Sequence, residues 1–125
     1  MSDAVHHPTH YTRWPVEVIN LTEREDFLYG NVLKYALRAG AKSGSSYEED
    51  MGKAAWYAAR LVNNIARVTS IEDGLCALHH RGDDAIDYLT GRPEDTAEVR
   101  GHLQGRLAAI YEQVEKEVRE AWDAT

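Results

Sequence analysis

The chain has 125 residues and a mass of 14.1 kDa, enough for one domain with a real core but not for two. Its 43% hydrophobic content is ordinary for a water-soluble protein, no apolar run approaches the ~18 residues of a membrane span, and the first residues lack a secretory leader pattern. A net charge of −7 speaks against a general nucleic-acid binder, and the single cysteine, Cys76, has no internal disulfide partner, which points to a reducing cytoplasm.

The charge is unevenly spread. Residues 1–29 hold two basic and five acidic side chains, residues 30–67 six and three, and residues 68–125 six and thirteen. A positive segment inside an acidic protein suits a small anionic ligand better than a polyanion, which would also meet the acidic remainder.

Residues 1–16 read as an irregular arm broken by Pro8 and Pro15. The β-branched stretch Val16-Glu17-Val18-Ile19 is either a brief strand or the first turns of a helix. A helix is expected from about Glu25 to Ala39, stopped by Gly40 in a left-handed C-terminal cap. After a polar loop, Ser46 caps a second helix whose first turns hold Glu48, Glu49 and Asp50, a favourable sign for the helix dipole. That helix runs to about Val68 with an apolar stripe through Met51, Ala54, Ala55, Ala58, Leu61, Val62 and Ile65. Asp50, Lys53, Tyr57, Arg60 and Asn64 fall on the opposite side.

Ser70 and Asp73 form a capping-box-like start for a third helix through Cys76, read as a small buried hydrophobe, with an interruption expected at Gly82. Gly91 and Pro93 mark the next break. A long amphipathic helix then spans Glu94 to Ala124, with Val99, Leu103, Leu107, Ile110, Val114, Val118 and Ala121 spaced by threes and fours. The expected fold class is all-α: a compact helical domain built on an antiparallel helix pair, with residues 1–68 as a helical core plus arm and residues 69–125 as an acidic helical extension packed on it. The long apolar seam of the last helix suggests a homo-oligomer.

Wound at 100° per residue, the first long helix puts Phe27, Asn31, Lys34, Tyr35 and Arg38 on one face. Packing needs only the apolar side, so basic groups stacked one turn apart and framed by aromatics are the pattern an anion with a flat ring would use. Arg38 offers a planar fork for phosphate oxygens, and Lys34, Lys42 and Lys53 act as point charges. Tyr35, Trp56 and Tyr57 could stack on a base, while Glu17 and Asp50 are the nearest carboxylates to orient a cation, a sugar hydroxyl or a lysine. The simpler reading is a solvated basic face with ordinary ion pairs such as Asp50–Lys53. In the arm, His7-Pro8-Thr9-His10-Tyr11 has no third ligand at diagnostic metal spacing and reads better as a rigid segment presenting His10 and Tyr11. The cluster Asp83-Asp84-Ala85-Ile86-Asp87 could bind Mg²⁺, but such a run on a helix is usually a solvated face. No phosphate-binding glycine loop, dinucleotide fingerprint or nucleophilic triad context is present.

Four blocks stand out in order and spacing: His7-Pro8-Thr9-His10-Tyr11; Glu17 within Val-Glu-Val-Ile; Gly30-Asn31-x-x-Lys34-Tyr35-x-x-Arg38-Ala39-Gly40-x-Lys42; and Glu49-Asp50-x-x-Lys53-Ala54-x-Trp56-Tyr57. Together they resemble the phage-encoded SaV-like domain of unknown function, whose best-described relatives are called phage nucleotide kinases. The resemblance covers residues 7–64 and departs from the usual pattern at Gly52 and Ala58. It implies phosphoryl transfer to deoxynucleoside monophosphates, in which Lys34, Arg38 and Lys53 would serve catalysis. His10, Tyr11, Glu17, Asn31, Tyr35, Lys42, Asp50, Trp56 and Tyr57 would hold the substrate. It also implies residence in a host cytoplasm. No cofactor is specified, though Mg²⁺ is compatible with the chemistry. Two other functions remain open: a non-catalytic phage accessory protein binding a nucleotide or host protein, and an all-α nucleoside-triphosphate pyrophosphohydrolase. The expected partners are a nucleotide or other small phosphorylated ligand and further copies of the chain, with no membrane and no nucleic acid.

Overall fold

The computed structural model describes residues 18–23, 25–41, 46–92 and 96–124. Five helices follow one another: α1 (Val18–Thr22), α2 (Phe27–Arg38), α3 (Tyr47–Ala66), α4 (Ile71–Thr90) and α5 (Ala97–Asp123). The described residues contain no strand, and the Val18–Ile19 stretch forms the start of α1. The fold is the compact all-α domain with a long C-terminal helix that the periodicity predicts.

Local chemistry sets the helix starts. Asp26, in extended conformation, accepts a bond from the Tyr29 amide at 2.9 Å, so α2 begins at Phe27 rather than at Glu25. Ser46 and Ser70 cap α3 and α4 through the amides of Glu49 (3.0 Å) and Asp73 (3.1 Å). Gly40 follows α2 with φ +81°, the left-handed conformation in which glycine has no Cβ penalty. Thr96 starts α5 without a side-chain cap. Its buried hydroxyl instead donates to the Leu89 carbonyl at 2.8 Å, tying the start of α5 to the end of α4. Pro93 and the expected helix start at Glu94 lie outside the described residues.

The core is one cluster. Leu33, Ala36 and Leu37 of α2 face Ala54, Ala58 and Val62 of α3, all fully buried, and the alanines let the two helices approach closely. From α5, Val99, Leu103, Leu107, Ile110, Val114 and Val118 are buried within the single chain, whereas Ala121, expected on the same seam, is exposed. The seam expected to demand a second copy is therefore covered by α3 and α4, which removes that argument for an oligomer.

Two sequence expectations fail on α4. It passes Gly82 unbroken, because this glycine serves packing rather than termination. A Cβ there would clash with the Tyr111 hydroxyl and lie 3.2 Å from that of Tyr29. Cys76 is exposed rather than buried. The buried positions of α4 are Gly74, Leu75, Leu78, Gly82, Ala85 and Leu89, and residue 76 falls on another face of the helix.

Beneath Gly82 the Tyr29 and Tyr111 hydroxyls meet at 2.5 Å, and Tyr111 donates to the Leu78 carbonyl at 3.1 Å, so Tyr29 donates to Tyr111. Burial, reinforced by its neighbour's charge, holds the Tyr29 phenol far above the usual tyrosine range, and burial pushes Tyr111 up to about 12. Unfolded tyrosines ionise near pH ~10. The pair's contribution is therefore intact below about pH 10 and is lost as pH rises through about 12. The unfolding temperature should fall across that window, and Tyr29→Phe/Tyr111→Phe should flatten the fall. An equally steep fall in the double variant would remove the pair as its cause.

Candidate functional site

The site is built where α2 lies against α3. Lys34, Tyr35 and Arg38 occupy one side of α2, and Asp50, Lys53, Trp56 and Tyr57 meet them from α3. The rings of Tyr35 and Tyr57 are nearly parallel, with centroids 6.0 Å apart and planes at 10°. Tyr57 also takes edge contacts from Phe27 at 5.9 Å and Trp56 at 5.1 Å. Phe27 and Trp56 stay open to solvent, 73% and 61% exposed. Large apolar rings left this wet form an exposed patch of the kind that marks binding surfaces.

Three cations surround the Tyr35 ring. Arg38 Cζ lies 4.5 Å from its centroid, Lys34 Nζ 4.6 Å and Lys53 Nζ 5.4 Å. Each gains from the negative face of the ring, worth about 0.5–1 kcal/mol at an exposed position. Their mutual repulsion opposes that gain. Arg38 is neutralised: its Nη2 donates to Asp50 Oδ1 at 3.1 Å, and both side chains are buried. Among the described residues no carboxylate pairs with Lys34 or Lys53.

Asp50 thus corrects the sequence reading. The sequence pattern puts it on the exposed polar side of its helix, as a carboxylate able to orient a ligand. Instead it is fully buried beside Arg38 at the start of α3, where the amide ends favour a negative charge. Arg38, only 5% exposed, braces the corner and the underside of Tyr35. Asn31 turns its amide back to the Phe27 carbonyl at 2.8 Å, an internal helix bond. Lys34, Tyr35, Lys53, Trp56 and Tyr57 therefore form the accessible part of the predicted set. His10, Tyr11, Glu17 and Lys42 lie outside the described residues.

A contributor absent from the sequence reading is Arg106 of α5. Its Nη1 donates to the carbonyls of Ala36 (2.5 Å) and Ala39 (2.8 Å), and its guanidinium lies 5.1 Å from the Tyr47 ring. A cation at the carbonyl end of α2 is favoured by the helix dipole and fixes the corner behind Arg38. The sequence held only a weak signal: a lone arginine between Gly105 and Leu107 on an otherwise regular amphipathic helix. Among the described residues, no group of three or more His, Cys, Asp or Glu is placed to hold a metal, and no helix is long and apolar enough to cross a membrane.

These features define a helical domain with a basic, aromatic face on its first two long helices. Residues 5–59, which include that face up to Tyr57, match a family described as a protein of unknown function, DUF3310. No curated protein and no solved structure matches the chain.

Proposed function

We propose that the α2–α3 face binds a nucleotide, and that the chain is a phage nucleotide kinase-like protein that phosphorylates deoxynucleoside monophosphates. The observation that supports binding is the pair Lys34 and Lys53. Two ammonium groups converge on one tyrosine ring with no paired carboxylate among the described residues. A phosphate between them would relieve their repulsion and gain two charge-assisted bonds. The exposed Trp56 ring beside them offers a flat apolar surface for a base. Arg38 acts through Tyr35 and Asp50, holding the platform rather than touching the ligand.

The kinase reading rests on the four-block resemblance and on the nature of phosphoryl transfer, which is mainly positioning and charge neutralisation. In that step the terminal phosphorus of a nucleoside triphosphate breaks its bond to the leaving diphosphate and bonds to an oxygen of the acceptor monophosphate. Two diphosphates result. Lys34 and Lys53 would stabilise the charge on the transferring group. The second reading is an accessory protein that binds a nucleotide or host protein without turnover. The acidic half of the chain, −7 over residues 68–125, favours it as a surface for a basic partner.

Calorimetry with deoxynucleoside mono- and triphosphates, with and without Mg²⁺, tests both. Lys34→Ala/Lys53→Ala should weaken nucleotide binding about ten- to a hundred-fold, from two charged contacts of about 1 kcal/mol or more each. Lys116→Ala on α5 should change it little. A diphosphate product supports the kinase, binding without product the accessory protein, and released pyrophosphate a hydrolase. Wild type that binds no nucleotide, or a double variant that binds as tightly, would rule the site out.

A further inference from the structure

Away from the basic face, a trough of about 470 Å³ runs between α4 and α5. Its floor is apolar, formed by Ile86, Leu107 and the Tyr111 ring, with the small, exposed Ala108 leaving room above. Its α4 rim carries His79, Asp83 and Asp87, one turn apart and all exposed. From His79 to Asp87 the rim follows about 12 Å of helix at the usual rise. It stays open to solvent along that length. An extended, shallow seat of this kind fits a segment of chain better than a compact small molecule.

The electrostatics choose the occupant. Among the described residues neither Asp83 nor Asp87 forms an ion pair. Residues 68–125 hold thirteen acidic side chains against six basic ones. Three of those six are already committed inside the fold: Arg81 to Glu25 and Asp26, Arg106 to the carbonyls of α2, and Arg119 to Glu72 and Glu115. The acidic rim is thus left uncompensated above an apolar floor. We infer that the α4–α5 trough docks a basic amphipathic segment of a partner protein, with arginine or lysine on Asp83 and Asp87 and an apolar side chain seated on Leu107 and Ile86. This site lies outside residues 5–59 and is independent of nucleotide binding.

The test is fluorescence anisotropy with a synthetic helix-forming peptide carrying leucine and arginine at i, i+4 repeats. Binding should weaken as salt rises. Asp83→Asn/Asp87→Asn should weaken it about tenfold, since two half-desolvated ion pairs together account for roughly 1.4 kcal/mol. Glu120→Gln/Asp123→Asn removes the same charge beyond the trough, at the far end of α5, and should change binding less than about twofold. Ala108→Trp should fill the trough and abolish binding, as should leucine-to-serine replacement in the peptide. If Ala108→Trp does not fold, the two charge pairs decide the question. The inference is overturned if the peptide does not bind, if both charge pairs weaken it equally, or if the serine peptide binds as tightly. Spermine that binds with the same dependence on Asp83 and Asp87, while leucine contributes nothing, would assign the trough to a free polyamine instead.

Discussion

Asp50→Ala is expected to destabilise the fold by about 3–5 kcal/mol, the usual cost of removing one partner of a buried ion pair. The Arg38 guanidinium, 5% exposed, would lose the carboxylate at 3.1 Å while remaining under Tyr35 and the α2–α3 corner. A domain of this size is stable by only about 5–15 kcal/mol, so the loss is a large fraction of the total. Denaturant titration should show the midpoint falling with little change in slope. Arg38→Met/Asp50→Leu removes both charges and should be less damaging than Asp50→Ala alone. A cost below about 1 kcal/mol for Asp50→Ala would show that the pair is well hydrated. The prediction also bears on the candidate site, because Arg38 fixes the underside of the ring on which Lys34 and Lys53 converge.

Gly74→Ala should destabilise by about 1–3 kcal/mol, although alanine is the better helix former by about 1 kcal/mol. The added Cβ would lie 2.6 Å from the Val62 carbonyl oxygen and 2.9 Å from the Val62 side chain. The carbonyl belongs to α3 and cannot swing aside, so α3 and α4 must separate at this crossing. Gly101→Ala on α5, where an added Cβ meets nothing within 4 Å, should instead raise stability by up to about 1 kcal/mol. Thermal unfolding of the two variants side by side separates packing from propensity. If both shift in the same direction, the close crossing at Gly74 is not limiting.

Most helix starts, stops and buried faces were legible in the sequence. Ser46 and Ser70 each cap through an amide three residues on, Gly40 closes α2 with a positive φ, and the three-and-four spacing of α5 marks the side it buries. All are local: each is set by residues within a few turns of one another, so pattern alone reveals them. It also placed Lys34, Tyr35, Arg38, Lys53, Trp56 and Tyr57 in one candidate region, because two short-range patterns shared one polar character.

Which partners those residues meet followed from packing between distant parts of the chain. Arg38 and Asp50 lie 12 positions apart, Arg106 reaches the Ala36 carbonyl 70 positions back, and Tyr29 meets Tyr111 across 82. Such pairings follow from the register at which packed helices meet, and residue type does not encode that register. The same cause reversed three local readings. Gly82 packs against the tyrosine pair and continues its helix, Cys76 turns outward, and the apolar seam of α5 is filled by α3 and α4. At Gly82 packing against the tyrosine pair outweighed a local helix preference of about 1 kcal/mol, because avoiding a steric clash is worth more than that, while Cys76 follows from which face of α4 meets its neighbours.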